Sequence, residues 1–319
     1  MRVVSLLPSA TETLGLIGGS VLLVGRSHEC DCPTEILDRP PLTTPRTTGA
    51  NPAEIDLEVH GALTTGRSLY RLDGALFADL RPDVILTQSL CSVCSIDEAT
   101  LRKAIAGIDP PPRVVSLNPT TIEGVFDAVL AVGSAVGLES AAKDAVVSLR
   151  ERFYRTAECV PVFADGPCVA FLEWTDPLFV GGHWIPQLIE RAGARHPLNP
   201  TAAMPGLGSG IAAQHDQRRA GPSVGVSADE LVASQPDAVV ICPCGFDLDR
   251  TRDAAGRLSA EPWWPDLGAV RAGRVALVDG AQMFSRPGPR LVDAFGWLTG
   301  WLNDRPDLIP PGFPWEPML

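Results

Sequence analysis

The feature that most restricts the fold is a recurrence of short apolar runs separated by stretches of helical character. They are "RVVSLL" (2–7), "VLLVG" (21–25), "DVILTQ" (83–88), "RVVSL" (113–117), "CVAFLEW" (168–174), "AVVIC" (238–242) and "RVALVD" (274–279). Strands that alternate with helices lie parallel, because a parallel neighbour needs a crossover connection, and the helices then cover the sheet. Two segments repeat one order of events: "LFADLRPDVILTQ" (76–88) and "DELVASQPDAVVICP" (229–243) each run from a helix end through Pro-Asp into a buried strand. The repeat predicts one such unit in each of two lobes, and 319 residues suit two cores better than one. The stretch 120–158 lacks proline, is rich in Ala, Val and Leu, and reads as one short and one long helix broken near Gly137. The expected organisation is an α/β protein with parallel-sheet lobes over 1–119 and 159–319 and a linking helix over 120–158.

The first 25 residues are apolar but carry Pro8 and Glu12, and no small-residue cleavage signature precedes residue 25. They read as strand, helix, strand, with a capping box from Ser9 to Glu12 and a stop at Gly18-Gly19. A second capping box is expected from Ser227 to Glu230. A leaderless chain is expected in the cytoplasm, with a periplasmic setting as the alternative if the start lies elsewhere. No window of about 18 uninterrupted apolar residues predicts membrane insertion. The net charge of −12 repels phosphate backbones, and no Lys/Arg run interleaves with aromatics, so nucleic acid is not an expected partner. In such a setting the eight cysteines read as reduced thiols, metal ligands or redox groups.

In open parallel sheets, ligands bind beyond the carboxyl ends of the strands. After "VLLVG" come Arg26, His28, Glu29, Cys30 and Cys32; after "DVILTQ" come Cys91 and Cys94. Glu173 and Trp174 close "CVAFLEW", followed by Asp176, His183 and Trp184; Cys242, Cys244 and Phe246 stand at the end of "AVVIC" and beyond it. Met283, Phe284, Ser285 and Arg286 follow "RVALVD". If the lobes face each other through these ends, a cleft is lined by the cluster "GRSHECDCP" (25–33) from one side and by Cys244 and His183 from the other. Cys91-Ser-Val-Cys94 alone is half a zinc knuckle. Cys159 and Cys168 read as packing, and His60, His196 and His215 as solvated surface. The Glu173-Trp174 and His183-Trp184 pairs suit a flat, partly apolar ligand, with core packing of the indoles as the competing reading. The segment 199–225, dense in Gly, Ala and Pro, reads as a loop or lid or as a passive insertion. Its "GLGSG" lacks the flanking strand and helix of a phosphate loop. A zinc-deaminase signature fails on spacing, since Glu29 directly follows His28, and no Gly-x-Ser-x-Gly elbow is present.

"RVVSLLPSATETLGLIG", "VGRSHECDCP", "LRPDVILTQ", "GGHWIPQLIERAG", "ASQPDAVVI" and "AVRAGRVALVD" resemble the solute-binding proteins of ABC importers for cobalamin and iron-siderophores. The resemblance runs from Arg2 to about Leu302. It implies two Rossmann-like lobes bridged by a long helix, the helical-backbone type of periplasmic-binding-protein fold. "GRSHECD", "LCSVC", "EWTDP", "GHW", "PCGF" and "SRPGPR" are similar to a leaderless subgroup labelled cobalamin-binding. The resemblance implies a binding protein rather than an enzyme, holding a corrinoid or related metal complex in an interlobe cleft. Arg26, His28, Glu29, Glu173, Trp174, His183, Trp184, Phe246, Phe284 and Arg286 are the expected ligand contacts, and Cys30, Cys91, Cys94 and Cys244 the expected metal-binding thiols. An ABC importer or a corrinoid-handling protein is the implied partner. The alternative is a cytoplasmic metal-dependent or thiol redox enzyme that uses the same Cys/His cluster with zinc or iron.

Overall fold

The computed structural model describes residues 1–65, 67–89, 96, 98–161, 166–203 and 218–318. Contacts divide the chain into two compact units, the first formed by Met1–Ala50, Glu54–Pro119 and Glu123–Arg150, the second by Asn51–Ala53, Thr120–Ile122 and Glu151–Leu319. The first half contains β1 (Val3–Ser5), α1 (Pro8–Leu16), β2 (Leu23–Arg26), β3 (Thr43–Pro45), α2 (Pro52–Thr64), β4 (Tyr70–Leu72), α3 (Gly74–Leu80), β5 (Val84–Thr87), α4 (Glu98–Ile105) and β6 (Arg113–Ser116). Two helices follow, α5 (Ile122–Val136) and α6 (Glu139–Ala157), and the boundary between the units falls within α6, after Arg150. The second half contains β7 (Val169–Thr175), β8 (Leu178–Val180), α7 (Trp184–Arg191), β9 (Ala202–Ala203), β10 (Arg218–Arg219), β11 (Val224–Gly225), α8 (Ala228–Ala233) and β12 (Ala238–Ile241). It closes with α9 (Leu248–Ser259), α10 (Gly268–Arg271), β13 (Val275–Val278), α11 (Leu291–Leu302) and β14 (Trp315–Pro317).

All seven apolar runs contain a strand, and the α/β class follows from them. In unit 1 the sheet order is β2-β1-β5-β6, parallel throughout, so Val3, Val4, Ile85 and Leu86 are buried on both faces by helices. The edge strand β6 departs from this, with Val114 42% exposed. In unit 2 the order is β11-β8-β7-β12-β13-β14. Its centre, β7-β12-β13, is parallel as expected, whereas β8, β11 and β14 run antiparallel. The tight turn at Asp176-Pro177 folds β8 straight back onto β7, a local connection that the long-period pattern of the sequence does not announce.

The internal repeat is a repeated structure. Arg81 and Gln235, each just before Pro-Asp, adopt positive φ of 42° and 46°. The Asp83 carboxylate accepts the Arg2 N–H at 2.6 Å, and the Asp237 carboxylate accepts the Cys168 N–H at 2.7 Å. The Arg2 and Cys168 carbonyls in turn accept from Val84 and Ala238. In both units, Pro-Asp therefore clamps the strand it begins to the entry of the neighbouring parallel strand.

Gly137, with φ of 73°, separates α5 from α6, in agreement with the expected break. The Ser227–Glu230 capping box forms with both of its reciprocal bonds. The Ser9–Glu12 box does not: Pro8 begins α1, Leu7 is the N-cap, and Ser9 already lies inside the first turn. Proline's fixed φ starts the helix two residues early, at Pro8 and not Ala10, which removes Ser9 from the cap position. Residues 20–22 form a 3₁₀ turn, so the second strand begins only at Leu23.

Candidate functional site

Unit 1 presents a polar group where β2 leaves the sheet. The Ser27 N–H donates to the Ser5 carbonyl at 2.8 Å, which fixes the loop against the end of β1. Thr43, at the start of β3, then organises the turn: its Oγ1 lies 3.0 Å from Ser27 Oγ, 2.7 Å from His28 Nδ1, and accepts the His28 N–H at 3.0 Å. The Thr43 hydroxyl thus holds the ring through Nδ1, and Nε2 points toward Glu29, 4.0 Å from its Oε1. Tyr70 of β4 sits with its ring centroid 5.5 Å from the His28 ring and donates its hydroxyl to Glu29 Oε1 at 3.1 Å. Half-burial is the main force lowering the His28 pKa; Arg26 adds to it and Glu29 opposes it, so the ring is held neutral.

Arg26 serves the loop. Its guanidinium donates to the carbonyls of Ser27, Cys30, Leu37 and Arg39 at 3.1–3.4 Å, which satisfies an irregular backbone that has no ladder of its own. Cys30 is 1% exposed, with Sγ 3.0 Å from Thr11 Oγ1. Cys91 and Cys94 lie outside the described residues. Beside that segment, Asn118 Oδ1 accepts the Ser89 N–H at 2.7 Å and Asn118 Nδ2 donates to Ser116 Oγ at 3.1 Å, an exposed amide and hydroxyl set at the ends of β5 and β6.

Unit 2 builds a second group at the carboxyl ends of β7, β12 and β13. Glu173 Oε2 accepts the Gly182 N–H at 3.2 Å and Oε1 accepts the Ser223 hydroxyl, so the carboxylate ties β7 to both following loops. Trp174 packs against Phe246 with centroids 5.2 Å apart, and Arg250 stands over the other ring at 3.8 Å. His183 adopts φ of 54°, donates its N–H to the Gly221 carbonyl at 2.8 Å, and lies 5.7 Å from the Trp184 ring; burial lowers its pKa. Cys244 is exposed, whereas Cys242 is buried, with its thiol 3.7 Å from the Met283 carbonyl and its pKa pushed up by burial.

Several expectations change here. Trp184 is buried and donates its indole N–H to the Phe284 carbonyl at 2.6 Å; Phe284 is buried against Phe171 and Trp297. Both spend their aromatic area inside unit 2, whereas Trp174 stays part-exposed. Arg286 is buried as well. His196, read as solvated, is buried with Nδ1 2.8 Å from the Val169 carbonyl oxygen. His60 is exposed on α2, and His215 lies outside the described residues. Among the described residues no three His, Cys, Asp or Glu side chains gather to hold a metal ion. Thr43, Tyr70, Ser223 and Arg250 were not singled out in the sequence. The first two come from a three-residue antiparallel ribbon too short to show a period, and the rarity of tyrosine, two in the chain, was the available signal for Tyr70.

No protein-family model matches the chain, and no curated protein matches it by sequence. Solved structures match its fold. A periplasmic heme-binding protein from Pseudomonas aeruginosa superimposes with a TM-score of 0.67 at 21% identity, covering 100% of this chain and 95% of its own. The periplasmic vitamin B12-binding protein of Vibrio cholerae gives 0.64 at 16% identity, with 95% and 97% covered. An ABC transporter substrate-binding protein from Listeria monocytogenes gives 0.65 at 17% identity, with 95% and 98% covered. The likeness spans both units and is one of fold: two α/β lobes of the periplasmic-binding-protein type.

Proposed function

We propose that the chain is a binding protein for a metal-centred chelate of the corrinoid or heme type, with His28 as the group that meets the metal. The observation that carries this reading is the half-buried His28 ring, held by Thr43 through Nδ1 and kept from protonation by burial, with Nε2 as the ring nitrogen that Thr43 does not engage. A neutral imidazole fixed through one nitrogen is the form that ligates a metal through the other. Tyr70 and Glu29 stand beside it as further oxygen donors. Within the same unit, Ser116 and Asn118 supply neutral donors and acceptors. The names of the similar structures support binding over catalysis, an importer as partner, and the periplasmic alternative over the cytoplasmic expectation. The metalloenzyme alternative would use Cys30, Cys94, Cys244 and His183; Cys94 lies outside the described residues, Cys30 is buried against Thr11, and no three such side chains gather among the described residues.

Titration of the purified chain with hemin and with hydroxocobalamin, followed in the visible spectrum, tests the proposal. One of the two is expected to shift its bands on binding. His28→Ala is expected to remove the shift or weaken binding by roughly tenfold or more, the scale of one lost charge-assisted or coordinate contact. Unchanged spectra with both ligands, or an unaffected His28→Ala variant, would overturn it.

A further inference from the structure

The geometry points to Arg250 as an oxyanion-recognition residue at the carboxyl rim of the unit 2 sheet, a contact for a carboxylate or phosphate group on a ligand. The inference rests on the binding function proposed above. Phe246 is placed at the carboxyl rim of the unit 2 sheet by two backbone bonds, its N–H to the Pro243 carbonyl at 3.0 Å and its carbonyl to the Ala281 N–H at 2.9 Å. The first closes the turn after β12, and the second joins it to the chain that follows β13. Trp174, at the end of β7, packs on the same ring, and the Arg250 guanidinium lies over it at 3.8 Å. A cation held on an aromatic face loses little further freedom when it binds an anion, and its fork of N–H donors stays available.

The neighbouring acids do not neutralise it. Asp247 caps α9 by accepting the Arg250 backbone N–H at 2.9 Å, and Asp249 pairs with Arg252 at 2.8 Å, which also holds Glu316. Among the described residues the Arg250 guanidinium makes no hydrogen bond or ion pair, although the chain carries 38 acidic residues against 26 Lys and Arg. The other cations after these strands are engaged differently: Arg286 is buried, and Arg290 donates to Gln282 at 2.9 Å. An exposed, unneutralised guanidinium on an aromatic platform, at the end of a sheet where ligands bind, matches a ligand oxyanion by bidentate hydrogen bonding.

Two ligand chemistries supply such a group, the carboxylates of a porphyrin and the phosphodiester of a complete cobalamin, and three probes separate them. Hemin carries carboxylates, hydroxocobalamin carries the phosphodiester, and cobinamide is a corrinoid without that phosphate. Arg250→Gln is expected to weaken whichever of hemin or hydroxocobalamin the parent chain binds by about 10- to 100-fold, the range for losing a charged hydrogen bond. It is expected to leave cobinamide binding within about twofold, and Arg250→Lys to recover part of the loss. Equal affinities in parent and Arg250→Gln, or a loss of the same size for all three probes, would overturn the inference while leaving the binding function standing. Failure of the parent chain to bind any of the three would defeat the binding function and this inference with it. Circular dichroism of both variants verifies that an exposed substitution leaves the fold intact.

Discussion

His196 shows how one residue type can carry opposite meanings. Its sequence context, between Arg195 and Pro197 in a connecting segment, reads as solvated, yet the ring is 2% exposed and bonded to the β7 backbone. Burial is the main force lowering its pKa, and the Val169 and Gly181 carbonyls pull it part of the way back. With the folded value below the unfolded one, the unfolded chain binds the proton more readily. The stability held by neutral His196 is therefore complete above about pH 6.5 and is lost as pH falls from there toward the lowered folded value. His28 and His183 shift the same way for the same first cause, so acid weakens the fold through three rings together. His196→Leu is expected to flatten the dependence of Tm on pH between about 7.5 and 5. At pH 7.5 it should cost about 1–3 kcal/mol, because the Val169 carbonyl loses its donor. Parallel Tm profiles for the two proteins would refute the assignment.

At the scale of elements, the site is positioned by close backbone approaches that a composition of 30 glycines leaves unmarked. Gly182, between β8 and α7, donates its N–H to Glu173, and a Cβ there would collide with the backbone of Pro222 and Ser223. Gly61, inside α2, faces open space. Gly182→Ala is expected to lose about 1–3 kcal/mol in chemical denaturation, because the neighbour is main chain and cannot turn aside. Gly61→Ala is expected to gain about 0.5–1 kcal/mol from helix propensity alone. Reversed signs for this pair would show that the turn around Gly182 yields and does not fix Glu173. The cap signals divide in the same way: Ser227–Glu230 was legible because Ser227 stands at the true cap, and Ser9–Glu12 misled because Pro8 starts α1 first.

For the whole molecule, the N-terminal residues decide whether unit 1 exists. β1 lies between β2 and β5, and Val3 and Val4 are fully buried, so the opening apolar run is a central strand. Deleting residues 1–7 is expected to leave a chain that fails to fold cooperatively, read as insoluble protein or the loss of a sharp thermal transition. A truncated chain that melts with the parent's cooperativity would overturn that placement. No helix among the described residues is long and apolar enough to cross a membrane. The sequence by itself determined the seven strand runs, the α/β class, the repeated Pro-Asp unit and the break at Gly137. Each of these is written in local chemistry: β-branched runs, fixed proline φ, and a glycine at positive φ. The tertiary structure alone decided which polar side chains face outward. Trp174 and Trp184 each stand beside a polar partner in sequence, yet Trp184 turns into the core while Trp174 lies with Phe246 at the rim. His28 gains its orientation from Thr43 and its neighbour Tyr70 across a ribbon of three-residue strands. Orientation and burial depend on contacts made far along the chain, and those contacts leave no period in the residues that make them.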